Sequence, residues 1–206
     1  IPPSAIDAYG KVIDKSQHVI DEYPDSKLVK KALLLIGRSR FYRKEYRIAE
    51  TVFKQYTDTY TDDVEQAEYW LALCKWKLGK PQPALDVLQS MLETATDKNF
   101  ISSIYLSKAE INLDIDNPKL ALEYLVLAAE TNNDRDERGQ IYYRIAGLAN
   151  NAEDYEQALS ANTEVVKNST SKKRKEEANL QIVRIHRLLG NWDTVKDLIK
   201  TMLLDE

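Results

Sequence analysis

The sequence predicts an all-α fold, a superhelical solenoid of about five and a half stacked helical hairpins. Small or helix-compatible residues recur at gaps of 37, 35, 37, 37 and 37 residues, at Val12, Ala49, Ala84, Ala121, Ala158 and Val195. A period of this size is typical of helical hairpins that become stable only by stacking on one another. Glycine and proline are scarce, with six of each in 206 residues, as long helices require.

Apolar spacing and turn residues place each helix in order. Residues 4–25 form a half repeat, whose helix over 4–23 ends at Pro24 because proline cannot continue a helix without losing a hydrogen bond. Five full hairpins follow, over residues 27–60, 64–94, 98–131, 135–168 and 171–204. Their turns lie at Lys44-Glu45, Gly79 to Pro81, Asn117-Pro118, Asn150 to Ala152 and Gly190-Asn191. Within the hairpins apolar residues repeat every three or four positions, and no strand-like alternation competes. We therefore expect one array over residues 1–206.

Composition excludes several other classes of protein. The formal net charge is −4, which disfavours a nucleic-acid partner, and no apolar run is long enough for a membrane span. Cys74 is the single cysteine, so no internal disulfide can form. Because the chain starts at Ile1 and stops after an uncapped helix, we predict a piece of a longer protein, or ends that another copy covers by self-association.

Four positions of each hairpin follow one pattern. A small residue stands in the first helix, at Gly37, Ala72, Ala109, Ala146 and Val183. Tyr46, Pro81, Pro118, Tyr155 and Trp192 occupy the turn, and Ala49, Ala84, Ala121, Ala158 and Val195 the second small position. A bulky position follows, with Phe53, Leu88, Leu125, Asn162 and Ile199. This pattern resembles the tetratricopeptide repeat, with a period near 37 instead of 34, and Asn162 predicts loose packing of the fourth hairpin.

A narrower resemblance lies at the front of the chain. Residues 19–26, which read VIDEYPDS, and residues 32–37, which read ALLLIG, are similar to bacterial envelope lipoproteins of the outer-membrane β-barrel assembly and Tol-Pal-associated type. This resemblance implies a scaffold for envelope assembly, in the periplasm and anchored to the outer membrane in the full-length protein. Two alternatives remain open. One is a cytoplasmic adaptor or co-chaperone-like module, and the other is a non-catalytic regulatory region of a larger enzyme or secretion component.

The family resemblance implies that the concave face, lined by first helices, binds a protein or peptide partner. The expected contact residues are Arg38, Tyr42, Tyr69, Leu73, Trp76, Tyr143, Arg184 and Arg187. Tyrosine and tryptophan are common in binding hot spots, although these aromatic residues could instead pack between helices. Arg38 and Arg184 could hold acidic groups of the partner, and the alternative is a solvated basic face.

No pattern in the sequence points to catalysis. His18 and His186 lie far apart and have no neighbours at metal-ligand spacing, and Cys74 is typical of a buried structural thiol. No glycine-rich phosphate loop occurs. We therefore expect a protein that is not an enzyme and that has no metal site and no cofactor.

Overall fold

The computed structural model describes residues 2–204, and within them it contains eleven α-helices and no β-strand. The helices are α1 (Pro3–Glu22), α2 (Leu28–Tyr42), α3 (Tyr46–Thr59), α4 (Glu65–Lys77), α5 (Pro81–Thr94), α6 (Lys98–Asp114), α7 (Pro118–Thr131), α8 (Arg135–Asn151), α9 (Tyr155–Asn168), α10 (Lys172–Leu188) and α11 (Trp192–Leu204). The predicted all-α class is confirmed, and each helix begins and ends close to its predicted boundary.

Contacts between Cα atoms group the chain into two compact units. Unit 1 covers Ile1–Thr94 and contains α1 to α5, whereas unit 2 covers Ala95–Glu206 and contains α6 to α11. Within each unit every helix packs against the next one along the chain, and in unit 1 α2 also contacts α4. The single array over the whole chain remains a prediction.

The recurring small residues lie where helices approach most closely. Ala49, Ala84, Ala121 and Ala158 are fully buried. In unit 1 a Cβ atom built on Gly37 of α2 would lie 2.5 Å from the Phe53 ring of α3, so the absence of a side chain lets the ring pack against the helix backbone. Small residues therefore set the spacing within a hairpin, as the repeat predicts.

The bulky position of the repeat is filled differently in the fourth hairpin. Phe53, Leu88 and Leu125 are fully buried, whereas the equivalent Ile199 on α11 is exposed. Asn162 is only 3% exposed, and its Nδ2 donates a hydrogen bond to the Ala158 carbonyl oxygen in the preceding turn of α9 at 2.8 Å. The loose packing predicted for this hairpin is therefore corrected in part, because the asparagine is buried and half of its amide is satisfied.

Hydrogen bonds between a first helix and the loop that follows its hairpin recur in unit 2. Asn99 Oδ1 accepts from the Asn133 backbone N–H at 2.9 Å. Asp136, the equivalent residue 37 positions later, accepts from Thr170 N at 2.8 Å and from Thr170 Oγ1 at 2.6 Å. These hydrogen bonds to the ionised carboxylate lower the pKa of Asp136 to about 2.

This shift predicts how Asp136 contributes to acid stability. Because folding depresses its pKa below the usual 3.8, the carboxylate stabilises the fold above about pH 4, and that contribution is lost as the pH falls towards 2. Asp136→Asn keeps an acceptor but removes the charge. We expect the wild type to melt at a higher temperature than the variant at pH 7, and the difference to vanish near pH 2. Asp58→Asn on α3, whose side chain has no hydrogen-bond partner within residues 2–204, is the control. A difference in melting temperature between the wild type and Asp136→Asn that stays constant from pH 7 to pH 2 would contradict the prediction.

Candidate functional site

The first helix of the first full hairpin, α2, carries one continuous exposed stripe. Leu28, Lys31, Leu35, Arg38 and Tyr42 lie at spacings of three and four residues, so they share one face of the helix, and all five are exposed. No residue of α2 is acidic. We call these five residues the α2 stripe. Its side chains are either apolar or aromatic, or positively charged, and none is negatively charged.

Trp70 on α4 joins three of the residues predicted for the site. The guanidinium carbon of Arg38 lies 5.4 Å from the Trp70 ring centroid, within the range of a cation–π interaction. The Tyr42 and Tyr69 rings meet the same indole edge-on, with centroids at 5.6 and 5.7 Å. Beneath them the Phe53 ring stacks on Trp70 at 6.1 Å. Unit 1 therefore brings Arg38, Tyr42 and Tyr69 together around a half-buried indole.

The sequence reasoning missed Trp70. Its position, two residues before the small residue Ala72, is the one that faces the preceding first helix, and in α2 Leu35 holds the same place in the repeat. A search for large aromatic residues at this position would have found it.

Two other predicted residues of unit 1 stand apart from this cluster. Leu73 is only 6% exposed, so it offers a partner almost no area, contrary to what a surface contact requires. Trp76 is half-buried, with the Lys77 ammonium 3.3 Å from its ring centroid. The exposed stripe and the Trp70 cluster together form the candidate surface of unit 1, and the predicted contact set remains a prediction.

A cleft of about 730 Å³ adjoins the N-terminal end of the α2 stripe. Lys27, Lys31 and Leu34 line it from the α2 side, together with residues of the loop before α4. Lys30 Nζ lies 2.7 Å from the Asp62 carboxylate, and this hydrogen bond raises the pKa of Lys30. Lys27 and Lys31 have no such carboxylate partner within residues 2–204. Within residues 2–204, the cations of this region that have no ion-pair partner are thus Lys27, Lys31 and Arg38.

In unit 2 the predicted residues lie on the first helices α8 and α10. Tyr143 is exposed, and its hydroxyl donates a hydrogen bond to Glu177 of α10 at 3.0 Å, which raises the pKa of Tyr143. Arg184 and Arg187 are exposed on α10, without an ion-pair partner within residues 2–204. Tyr143 therefore bridges α8 and α10, while the two arginines remain available to solvent.

Groups with catalytic chemistry are not brought together. Burial, and to a smaller extent the Glu50 carboxylate, raises the pKa of Cys74 to about 12, so the residue stays a neutral buried thiol. Within residues 2–204 no group of three or more His, Cys, Asp or Glu side chains is placed to hold a metal ion. Among the helices described above, none has the length and apolar character to cross a membrane.

Comparisons with known proteins agree with the fold of stacked helical hairpins. The model of the family described as tetratricopeptide repeat matches residues 66–95, which form α4 and α5. No curated protein matches the sequence. Among solved structures, BtubC (BKLC) from P. vanneervenii is similar with a TM-score of 0.64 and 12% identity, over 96% of this chain and 88% of that one.

Two further structures resemble the chain at the level of the fold. MamA 41-end from Desulfovibrio magneticus RS-1 has a TM-score of 0.55 and 17% identity, over 84% of this chain and 93% of that one. YrrB, described as a TPR protein with an unusual peptide-binding site, has a TM-score of 0.55 and 14% identity, over 90% of this chain and 89% of that one. The chain thus resembles tetratricopeptide-repeat proteins in its fold, and one of its hairpins matches the model of that repeat. The narrower resemblance to envelope lipoproteins receives no support from these likenesses.

Proposed function

We propose that this protein is an interaction scaffold whose α2 stripe binds a partner segment that carries both acidic and apolar side chains. The observation that carries the proposal is the position of Arg38, exposed and stacked on Trp70, in a stripe without any carboxylate. The indole lies in cation–π range of the guanidinium, and a planar guanidinium pairs well with a carboxylate. Leu28, Leu35 and Tyr42 supply apolar area beside it, and arginine and tyrosine are residue types enriched in binding hot spots.

Charge reversal at Arg38 tests this proposal. Peptides selected from a phage-displayed random library on the wild-type protein should be rich in Asp or Glu next to apolar residues. We expect Arg38→Glu to weaken their binding at least about tenfold, because it replaces an attraction by a repulsion worth about 1.4 kcal/mol or more. Fluorescence anisotropy with labelled peptides measures the affinity, and the affinity of the wild type should fall as salt is raised.

Arg47→Glu is the matched control, since Arg47 is an exposed arginine on α3 and lies outside the stripe. It should leave both peptide binding and the melting temperature unchanged. Equal loss in the two variants would show that only the net charge matters. If both variants bind the peptides as tightly as the wild type does, or if the library yields no enriched peptide on the wild type, the proposed surface is contradicted.

For the cellular setting we propose envelope assembly on the periplasmic side, with outer-membrane anchoring in the full-length protein. Its support is the sequence segment at residues 19–26, which in the structure forms the end of α1 and the turn into α2, where the Leu28 backbone N–H donates to Ser26 Oγ at 3.2 Å. A cytoplasmic adaptor and a regulatory region of a larger protein share the same architecture. Fractionation of the source cells, followed by detection of this chain with an antibody, shows whether the protein is in the envelope or in the cytoplasm.

A further inference from the structure

Successive first helices are bridged by side chains at two fixed positions of the repeat. One is the residue just after the first small position, and the other is two residues before the small position of the next hairpin. In unit 1 these are Arg38 and Trp70, which form the cation–π pair. In unit 2 they are Glu110 of α6 and Arg144 of α8, which form an ion pair.

The next equivalent pair leaves a gap. Between α8 and α10 the same two positions hold Gly147 and Gln181. Outside the adjacent residues and the local backbone of α8, no heavy atom lies within 4 Å of where a Cβ atom of Gly147 would stand, and a cavity of about 180 Å³ opens there. Its lining consists of Tyr143, Ala146, Gly147, Asn150, Asn151, Asn162 and Gln181.

Two costs to stability coincide at this cavity. Gly147 weakens the middle of α8, although neither its backbone nor a close neighbour requires glycine, whereas the glycines at 37 and 139 lie against other atoms. Asn162 lines the base of the cavity. It places an amide at the bulky position of the repeat, where Phe53 and Leu125 are buried in other hairpins. Departures from the repeat pattern that lower stability, when they cluster at one place, indicate a functional site.

The lining offers unused hydrogen-bonding groups and no charge. Asn162 donates through Nδ2 to Ala158, which leaves its Oδ1 without a partner among residues 2–204. The side chains of Asn150, Asn151 and Gln181 also have no hydrogen-bond partner in that part of the chain. The Tyr143 hydroxyl is already engaged by Glu177 at the edge. The site thus presents both donors and acceptors of the carboxamide type.

We propose that this cavity receives an asparagine or glutamine side chain of a bound partner. A carboxamide is neutral, fits a space of this size and offers two N–H donors and one acceptor oxygen to the amides of the lining. A carboxylate would be buried without a cation in the lining. The inference rests on the proposed function for the partner itself, but the pocket can be tested without one.

The test uses small probes and a variant that fills the cavity. N-acetylglutamine N-methylamide, titrated into the labelled full chain at pH 7, should shift the side-chain amide signals of Asn150, Asn151 and Gln181 in NMR spectra. N-acetylglutamate N-methylamide should bind at least about tenfold more weakly. Gly147→Leu should abolish the shifts, while its melting temperature stays at or above that of the wild type, because the new side chain enters open space.

Ser160→Leu, which adds the same side chain at an exposed position of α9, is the matched control and should bind the probe like the wild type. If Gly147→Leu lowers the melting temperature, Gly147→Met provides a second filled cavity. Equal binding of the two probes, binding that survives in a stable filled variant, or no shift at about 50 mM probe would overturn the proposal. Because the probe reports on unit 2 and the Arg38→Glu assay on unit 1, either proposal can fail while the other stands.

Discussion

Phe53→Ala should lower the free energy of unfolding by about 3–5 kcal/mol, the range for a fully buried phenylalanine. The ring has no exposed area, and it fills the space between the bare backbone of Gly37 and the Trp70 indole. Since whole domains are stable by about 5–15 kcal/mol, this one substitution should remove a large part of the stability of unit 1.

Tryptophan fluorescence during urea unfolding measures the effect, because Trp70 stacks on Phe53 whereas Trp192 in unit 2 is 58% exposed. Phe53→Leu should cost less, since it refills part of the cavity. Ile48→Ala on the same helix is the control, because Ile48 is 48% exposed and should change stability by about 0.5 kcal/mol or less. A loss below about 1 kcal/mol for Phe53→Ala would show that the core around Trp70 collapses to fill the space.

The same substitution connects the core with the proposed function. Arg38 makes a cation–π contact with Trp70, and the Trp70 indole in turn stacks on the Phe53 ring. Loss of the Phe53 ring should therefore also loosen the α2 stripe. Peptide affinity in Phe53→Leu, which should remain folded, reports whether the stripe needs a rigid indole beneath it.

The helices could be predicted from the sequence because their ends depend on local chemistry. Asp97, Asp134, Asp154 and Ser171 precede helices, and each accepts a hydrogen bond from a backbone N–H of the first turn. Gly79 and Gly190 adopt positive φ at helix ends, a conformation that glycine permits without strain. Such signals act within a few residues and can be read without knowledge of tertiary contacts.

The surface could be predicted only in part because the repeat specifies a face of a helix, not its neighbours. Arg38 and Tyr42 were found from their positions, and they are exposed. Leu73 occupies the same repeat position as Arg38, yet it is buried. Trp70 gains its role from contacts with Tyr42 of α2 and Phe53 of α3, which lie 28 and 17 residues away in sequence. Exposure depends on these contacts between hairpins.

Gly139→Ala should destabilise unit 2 by about 2 kcal/mol, although alanine is the better helix former. A Cβ atom at this position of α8 would lie 2.7 Å from Ser169 N and 2.8 Å from Ser169 Cα. That backbone cannot move freely, because Ser169 N donates to Val165 O at 2.9 Å and the next N–H donates to Asp136. Overpacking costs up to about 3 kcal/mol, and the gain in helix propensity returns about 1 kcal/mol.

Gly147→Ala is the matched control, because it makes the same chemical change eight residues later on the same helix. No atom lies within 4 Å of its new methyl group, so only the helix-propensity gain applies and stability should rise by about 0.5–1 kcal/mol. Urea unfolding followed by far-UV circular dichroism should therefore shift the two midpoints in opposite directions. A shift of both midpoints to higher urea would show that α8 and the loop after α9 can separate by a few tenths of an ångström at little cost, and that glycine is not needed at position 139.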